Sequence, residues 1–395
     1  MHKRENPYTP GAGRKPATLA GRDGELERFQ ALVERLATGR YERSLIYSGL
    51  RGVGKTVLLM ELDVLATEAG WATTDVQEVG SHPDFRVTFT RMVMRLLRET
   101  SRRHRVKERV DHALRVVKAF SVAVPSGLQV KLDVEAATGV ADSGDIEQDL
   151  TDLLVEMGEV AQSAQTGALF LIDEMHNLDE PSLAAICIAF QAISRRGLPV
   201  ALAGAGLPDL QVRLMAAKPY ADRLFTYREL GRLTDASARA ALVGPAAALG
   251  VQYEEDAVRA VVKQAAGYPY FLQEYGLELW NHAEESPIAM DDVEAAREIV
   301  RESLAVNFFE PRMELATDAE QRYLAAMATV PALPCRTAQV AELFGASDQR
   351  GVSVYRNGLI RKGLIWSPRR GLVDFTVPLF AEFLRERHPL ATFES

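Results

Sequence analysis

A parallel α/β sheet with helical additions is the fold class this sequence predicts, and two observations predict it. Short apolar runs of strand length alternate with longer amphipathic stretches between residues 21 and 232, a rhythm that gives parallel strands covered on both faces. Between the first such run and the first apolar helix lies Gly49-Leu50-Arg51-Gly52-Val53-Gly54-Lys55-Thr56, a complete G-x-x-x-x-G-K-[ST] loop. A strand, a glycine loop and a helix in that order bring a ring of backbone N–H groups and the positive end of a helix to one place, where phosphates bind.

The bulk numbers leave room for this and exclude other classes. The chain has 395 residues, enough for two or three domains, with 47% apolar and 25% charged residues. No apolar stretch approaches the ~20 residues that span a bilayer, and no apolar segment follows the charges of Met1 to Asn6. Cys187 and Cys335 stand at no metal-ligand spacing and read as reduced thiols of a cytoplasmic protein. Net charge is −8, so the surface as a whole is no polyanion binder. Two basic islands depart from that sign. Residues 91–118 hold ten Lys/Arg against three Asp/Glu, and residues 336–370 hold seven against two.

In order, residues 1–20 are Pro- and Gly-rich, without period, and read as an extended arm. Gly21-Arg22-Asp23 opens a helix with Leu26, Phe29, Leu32, Val33 and Leu36 at helical spacing. The strand Ser44–Ser48 precedes the loop, and a second strand is expected over Trp71–Val76. Helices follow over 83–101 and 107–120. The period then becomes two on either side of Pro125-Ser126-Gly127, which predicts an inserted hairpin over about 119–135. A helix over 146–164, a strand over 168–172, a helix over 181–195 and strands over 198–203 and 225–230 complete the sheet domain, residues 21–232. Residues 233–315 read as a helical lid and a connecting helix broken near Pro311. Residues 316–395 read as three helices and a hairpin whose tip is Pro368-Arg369-Arg370-Gly371, a winged helix-turn-helix. Its first helix opens with Thr317 and Glu320 at capping-box spacing.

The chemistry follows from spacing. Lys55 is expected to reach the β- and γ-phosphates, and the Thr56 hydroxyl to hold Mg²⁺. The loop residues Gly49 to Thr56, with Val57, make the nucleotide cradle. Phe170-Leu171-Ile172-Asp173-Glu174 ends a buried strand in two carboxylates: Asp173 for the metal beside Thr56, Glu174 to polarise the attacking water. His176 has two readings, coupling to Glu174 or to a γ-phosphate sensor, or a polar residue at a strand-to-helix turn. No Asn-Lys-x-Asp guanine-reading element is present, which favours ATP.

The ordered set Gly21-Arg22-Asp23, the phosphate loop, Ile172-Asp173-Glu174, Ala203-Gly204-Ala205-Gly206-Leu207-Pro208, Ala221 to Phe225 and Ala266-Gly267-Tyr268-Pro269 resembles a bacterial AAA+ P-loop NTPase. The branch it resembles is that of origin-recognition-type initiators and STAND ATPases, and the resemblance spans residues 6–390. It implies that Gly21, Arg22 and Asp23 pack near the adenine and that Gly267 and Pro269 of the lid touch the nucleotide. It also implies that Arg223 is an arginine finger entering a neighbouring copy, against an ion pair at a helix end. Two departures stand out. Ala203-Gly204-Ala205 offers no side chain to sense a γ-phosphate, and Tyr270 and Phe271 stand where a lid arginine is expected. Both suggest slow hydrolysis and a switch.

The tail is read in two ways. As a duplex-DNA reader it would use Arg350, Arg356, Arg361, Lys362, Arg369 and Arg370, chiefly on phosphate. As a protein-contact module, or a clamp on the core in a STAND-type regulatory ATPase, it would bind no DNA. The run Arg102 to Lys107 is a solvated connector or a DNA-contacting insertion. Trans activation by Arg223 predicts that specific ATPase activity rises with protein concentration; flat activity over a hundredfold range would leave Arg223 an ion-pair residue.

Overall fold

Apolar runs bounded by turn residues pair edge to edge once both of their faces are covered by helices, and this governs the first half of the chain. The computed structural model describes residues 2–11, 13–79, 84–104, 106–122 and 134–393, which divide into two compact units. One unit, Arg22–Ser48 with Lys55–Glu229, holds α1 (Asp23–Ala37), β1 (Ser44–Ser48), α2 (Lys55–Glu68), β2 (Ala72–Thr73), β3 (Gln77–Glu78), α3 (Asp84–Arg103) and α4 (Lys107–Val122). It continues with α5 (Ile146–Ser163), β4 (Ala168–Asp173), α6 (Glu180–Arg196), β5 (Val200–Gly206), α7 (Leu210–Ala217), α8 (Ala221–Leu224) and β6 (Phe225–Glu229). The strands form a parallel sheet in the order β2-β4-β5-β1-β6, with β3 also on β4.

Every residue of β4 and β5 is buried, as a strand covered on two faces requires. A row of rings, Phe89, Phe170, Phe190 and Phe225, runs through this core with centroids 6.1, 6.2 and 6.4 Å apart. One buried ion pair interrupts the apolar packing. Arg86 donates to Asp149 at 2.7 Å and to the Phe120 carbonyl at 3.3 Å, while its guanidinium lies 4.8 Å from the Phe120 ring centre. Asp149 also accepts from the Ser143 N–H at 2.9 Å, the Ser143 hydroxyl at 2.7 Å and the Gly144 N–H at 3.1 Å, so both charges are paired.

The expected hairpin is corrected at its start. Phe120, Ser121 and Val122 close α4, because Phe120 continues the buried stripe of Val110, Ala113, Val116 and Val117. The rest of that hairpin, residues 123–133, lies outside the described residues. The second strand is shorter than expected, Ala72–Thr73, and β5 runs on to Gly206.

The other unit, Met1–Gly21 with Gly49–Gly54 and Leu230–Ser395, is built around helices. It holds α9 (Asp235–Ala247), α10 (Glu255–Gln264), α11 (Pro269–His282), α12 (Met290–Leu304), a π-helical turn at Ala305–Phe309 and α13 (Glu310–Met313). Then come α14 (Asp318–Thr329), β7 (Cys335–Arg336), α15 (Thr337–Phe344), α16 (Ser353–Arg361), β8 (Ile365–Trp366), β9 (Leu372–Phe375) and α17 (Phe380–Arg387). The three strands pair antiparallel in the order β7-β9-β8. The expected capping box is present: Thr317 and Glu320 bond each other's backbone N–H. The break expected near Pro311 is the π-helical turn, which stacks Phe309 on Phe383 at 5.0 Å. The arm is anchored: Tyr8 is buried, and its hydroxyl bonds the Leu242 carbonyl. Among the described residues no helix is long and apolar enough to cross a membrane.

Removing one partner of a buried pair leaves the other charge stranded. Arg86→Ala is expected to lower unfolding stability by about 3 kcal/mol or more in urea denaturation. A loss under about 1 kcal/mol would show that the pair is dispensable.

Candidate functional site

The site begins where β1 ends. Gly52 and Gly54 take positive φ, +80° and +91°, so the chain turns rather than continuing the strand. Helix α2 starts at Lys55, and its first N–H groups, which have no carbonyl partners within the helix, close the turn. Lys55 is 6% exposed, an unusual place for an ammonium group. Thr56 follows it on the first helical turn, and its hydroxyl donates to Asp173 Oδ2 at 2.5 Å.

Asp173 closes β4 and is 3% exposed, and its other oxygen accepts the N–H of Glu174 at 2.8 Å. That bond helps hold Glu174 in a left-handed conformation, φ 49° and ψ 35°, rare for a residue with a side chain. Backbone strain of this kind accompanies functional sites, where surrounding bonds over-determine it. The turn aims the Glu174 carboxylate out of the strand line, with Oε2 3.2 Å from His176 Nε2. The Thr56 hydroxyl and the Asp173 carboxylate thus touch, the pair of protein oxygens that could serve a hard divalent cation keeping most of its water, while the Glu174 carboxylate lies against His176.

β5 ends beside this cluster in Gly204-Ala205-Gly206. Gly204 is forced, because a Cβ there would overlap the Met175 sulfur. The missing polar side chain at this strand end therefore has a packing cause. The strand instead delivers a backbone donor, the Leu207 N–H, to His176 Nδ1 at 3.3 Å.

The other expected residues lie on different elements. Arg22 is 7% exposed at the start of α1, where burial pulls its guanidinium below the ordinary arginine value against the charge of Glu25. Gly21 takes φ +67° just before it, and Asp23 is the first residue of α1. Arg223, on α8, has a side chain 78% exposed, 3.6 Å from Asp222. Gly267 accepts the Leu233 N–H at 2.8 Å, and Pro269 is the first residue of α11. On α16 and the β8–β9 turn, Arg361, Arg369 and Arg370 are exposed, as is Arg350. Arg356 is half-buried. Lys362 is committed to Glu320 at 2.5 Å. Burial pushes the Glu320 carboxyl up, but the bonds from Lys362 and Thr317 outweigh it and hold the group below the ordinary value.

Sequence reasoning missed one set of contacts entirely. The Arg51 N–H donates to the Thr376 carbonyl at 2.9 Å, and its guanidinium Nε approaches the Gly363 carbonyl at 3.4 Å. The Tyr270 N–H meets the Gly52 carbonyl at 3.4 Å, and the Tyr270 ring stacks on Phe308 of the π-helical turn at 4.5 Å. No local pattern signals bonds between residues more than two hundred positions apart.

Residues 18–202 match the AAA ATPase domain family, and residues 306–384 match a domain of unknown function (DUF8462). No curated protein matches the chain by sequence. The fold is similar to that of the Walker-type ATPase PABY2304 of Pyrococcus abyssi, at TM-score 0.55 and 12% identity over 93% of this chain and 96% of that one. Lower similarity is found to the Aeropyrum pernix Orc1 protein solved with DNA, at TM-score 0.45 and 18% identity over 95% of each chain. The Thermotoga maritima RuvB branch migration motor stands at TM-score 0.45 and 16% identity, over 94% and 98%.

If Glu174 polarises the attacking water, Glu174→Gln should keep nucleotide affinity and lose at least ~100-fold in turnover, the scale of a positioned general base. Nucleotide titration beside steady-state phosphate release checks both halves, and near-normal turnover would take Glu174 out of the role.

Proposed function

We propose that this chain, an AAA+ P-loop ATPase by domain family and fold, is a slow ATP-hydrolysing switch whose nucleotide state sets the C-terminal module free or holds it, and through that module governs duplex-DNA binding or self-assembly. Phosphoryl transfer needs positioning and charge neutralisation more than covalent chemistry. Lys55 supplies positive charge to the β- and γ-phosphates, and the loop's backbone N–H groups hold the phosphate chain. Thr56 and Asp173 would hold Mg²⁺; their oxygens already touch, and two protein donors suit an ion that takes its other ligands from phosphate and water. When bound, the metal neutralises charge on the phosphate oxygens. Glu174 accepts the proton of the attacking water. Gly21, Arg22 and Asp23 would line the base, Gly267 and Pro269 would touch the nucleotide from the lid, and Arg223 would act on a neighbouring copy.

The observation that carries the switch is the bonding of Arg51. In a phosphate loop the backbone N–H groups are the donors that phosphate oxygens take up. Here one of them is given to Thr376 of the C-terminal module, and the Arg51 side chain reaches Gly363 of the same module. A triphosphate and the module therefore compete for the same residue, so filling the loop weakens the hold on the module. Exposed Arg350, Arg361, Arg369 and Arg370 are the groups available to DNA phosphates.

A second reading has its own support. Lys362 is spent on Glu320 and Arg356 is half-buried, which thins the basic face of the module. That favours a regulatory ATPase of the STAND type, whose module holds the loop and binds protein.

Hydrogen exchange over residues 363–376, followed with ADP and with a non-hydrolysable ATP analogue, tests the switch. The analogue should speed exchange there, and Arg51→Ala should reproduce the effect without nucleotide. DNA capture by the same samples should weaken steeply with salt, and Arg369→Ala with Arg370→Ala should lower the slope of log K against log salt by about 2. Exchange that ignores nucleotide would sink the switch. Nucleotide-dependent exchange without DNA capture would favour the second reading.

A further inference from the structure

Between the Glu174 carboxylate and the end of β5 lies an imidazole that the phosphoryl-transfer scheme above does not use. His176 sits in the single 3₁₀ turn Met175–Asn177 that follows Glu174, and its side chain is 7% exposed. Both ring nitrogens face a protein group. Nδ1 lies 3.3 Å from the Leu207 N–H, which can only donate, so Nδ1 must carry the lone pair. In the neutral ring the proton is then on Nε2, and Nε2 is the nitrogen 3.2 Å from Glu174 Oε2. The tautomer is thus set by a backbone amide, and it puts the proton on the nitrogen beside the carboxylate, in a close contact whose alignment falls short of a hydrogen bond.

The backbone that carries the ring is held as well. Arg213 of α7 donates to the carbonyl of His176 itself and, at 2.6 Å, to the carbonyl of Leu178. Glu174 is tied at its backbone on both sides, its N–H to Asp173 and its carbonyl to the Asn177 N–H at 2.8 Å. Its carboxylate is the group that has to face a water beside the γ-phosphate.

We infer that His176 is a positioning residue for Glu174: the Leu207 N–H fixes its tautomer, and its Nε2–H orients the carboxylate that activates water. The inference rests on the hydrolytic reading of Glu174 given above. It also assigns a task to the end of β5, which has no polar side chain. That strand end acts through its backbone, and a displacement of Leu207 turns the imidazole and with it the carboxylate. His176 touches neither nucleotide nor water in this scheme and is not itself catalytic.

Two measurements on the full-length chain test it. In steady-state ATPase assays His176→Ala should lower kcat about 10- to 100-fold, the cost of misplacing a reacting group by about an ångström, with KM and the dissociation constant of the ATP analogue within about twofold. His176→Gln, whose amide N–H reaches the position of Nε2, should recover part of the loss. Side-chain ¹⁵N NMR of labelled histidine, with His176→Gln as the assignment control, should find His176 as the Nε2–H tautomer. Its Nε2 resonance should move in Glu174→Gln. An Nδ1–H tautomer, or a His176→Ala variant with unchanged kcat, overturns the inference. Should the wild-type chain bind ATP without hydrolysing it, the hydrolytic reading fails by itself. The tautomer and its response to Glu174→Gln then still decide whether the His176–Glu174 contact exists.

Discussion

The parallel register of β1, β5 and β4 is the constraint on which the site depends. Leu45 of β1 and Leu171 of β4 both lie level with Ala203 of β5, and Ile46 and Ile172 both lie level with Gly204. Three strands therefore end within a residue or two of one another on the same edge. From that edge emerge the loop after Ser48, the pair Asp173-Glu174 and the Leu207 N–H. Ligands of open parallel sheets bind outside the carboxyl ends of their strands, and this alignment is the reason. A slip of one residue in β4 would turn Asp173 from the edge into a covered face of the sheet.

Packing and chemistry compete for that edge, and the competition explains its composition. Polar groups are expensive in a buried setting unless paired. Asp173 is paired with the Thr56 hydroxyl and the Glu174 N–H, and His176 Nδ1 with the Leu207 N–H, while its Nε2 approaches Glu174 to 3.2 Å without a hydrogen bond. Where a neighbour needs the space, the side chain is given up altogether, as at Gly204 against Met175. The loss of a polar side chain on β5 and the presence of a histidine three residues after Asp173 are then two sides of one arrangement. Met175 fills the place beside Gly204, and His176, the next residue, is carried to the amide that β5 still offers.

What could be read from the sequence was what local pattern determines. The phosphate loop was legible because its glycines, lysine and threonine are fixed by spacing, and β4 because a covered strand ending in Asp173-Glu174 is a continuous apolar run. The capping box at Thr317 and Glu320 was legible for the same reason, all of its atoms being within four residues. Phe120 to Val122 misled, since three alternating residues fit a strand as well as the last turn of a helix; the buried stripe beginning at Val110 decides it. β5 was read too short because alanine and glycine carry little strand propensity, while burial between two neighbours overrides that. Lys362, expected on DNA phosphate, bonds a partner that no local pattern shows, Glu320, 42 residues away.

The contacts of Arg51 belong with the illegible part. Its two acceptors, Gly363 and Thr376, are not independent. The Thr376 hydroxyl donates to the Gly363 carbonyl at 2.6 Å and to the Leu364 carbonyl at 3.1 Å, and the Thr376 N–H also donates to Leu364. Thr376 is fully buried, directly after β9, and Gly363 and Leu364 lead into β8. One arginine therefore grips a small bonded knot that joins the feet of the two strands flanking the Arg369-Arg370 turn. A grip on a flexible loop would dissipate any displacement within a few residues. A grip on the paired base of a hairpin engages both of its strands at once.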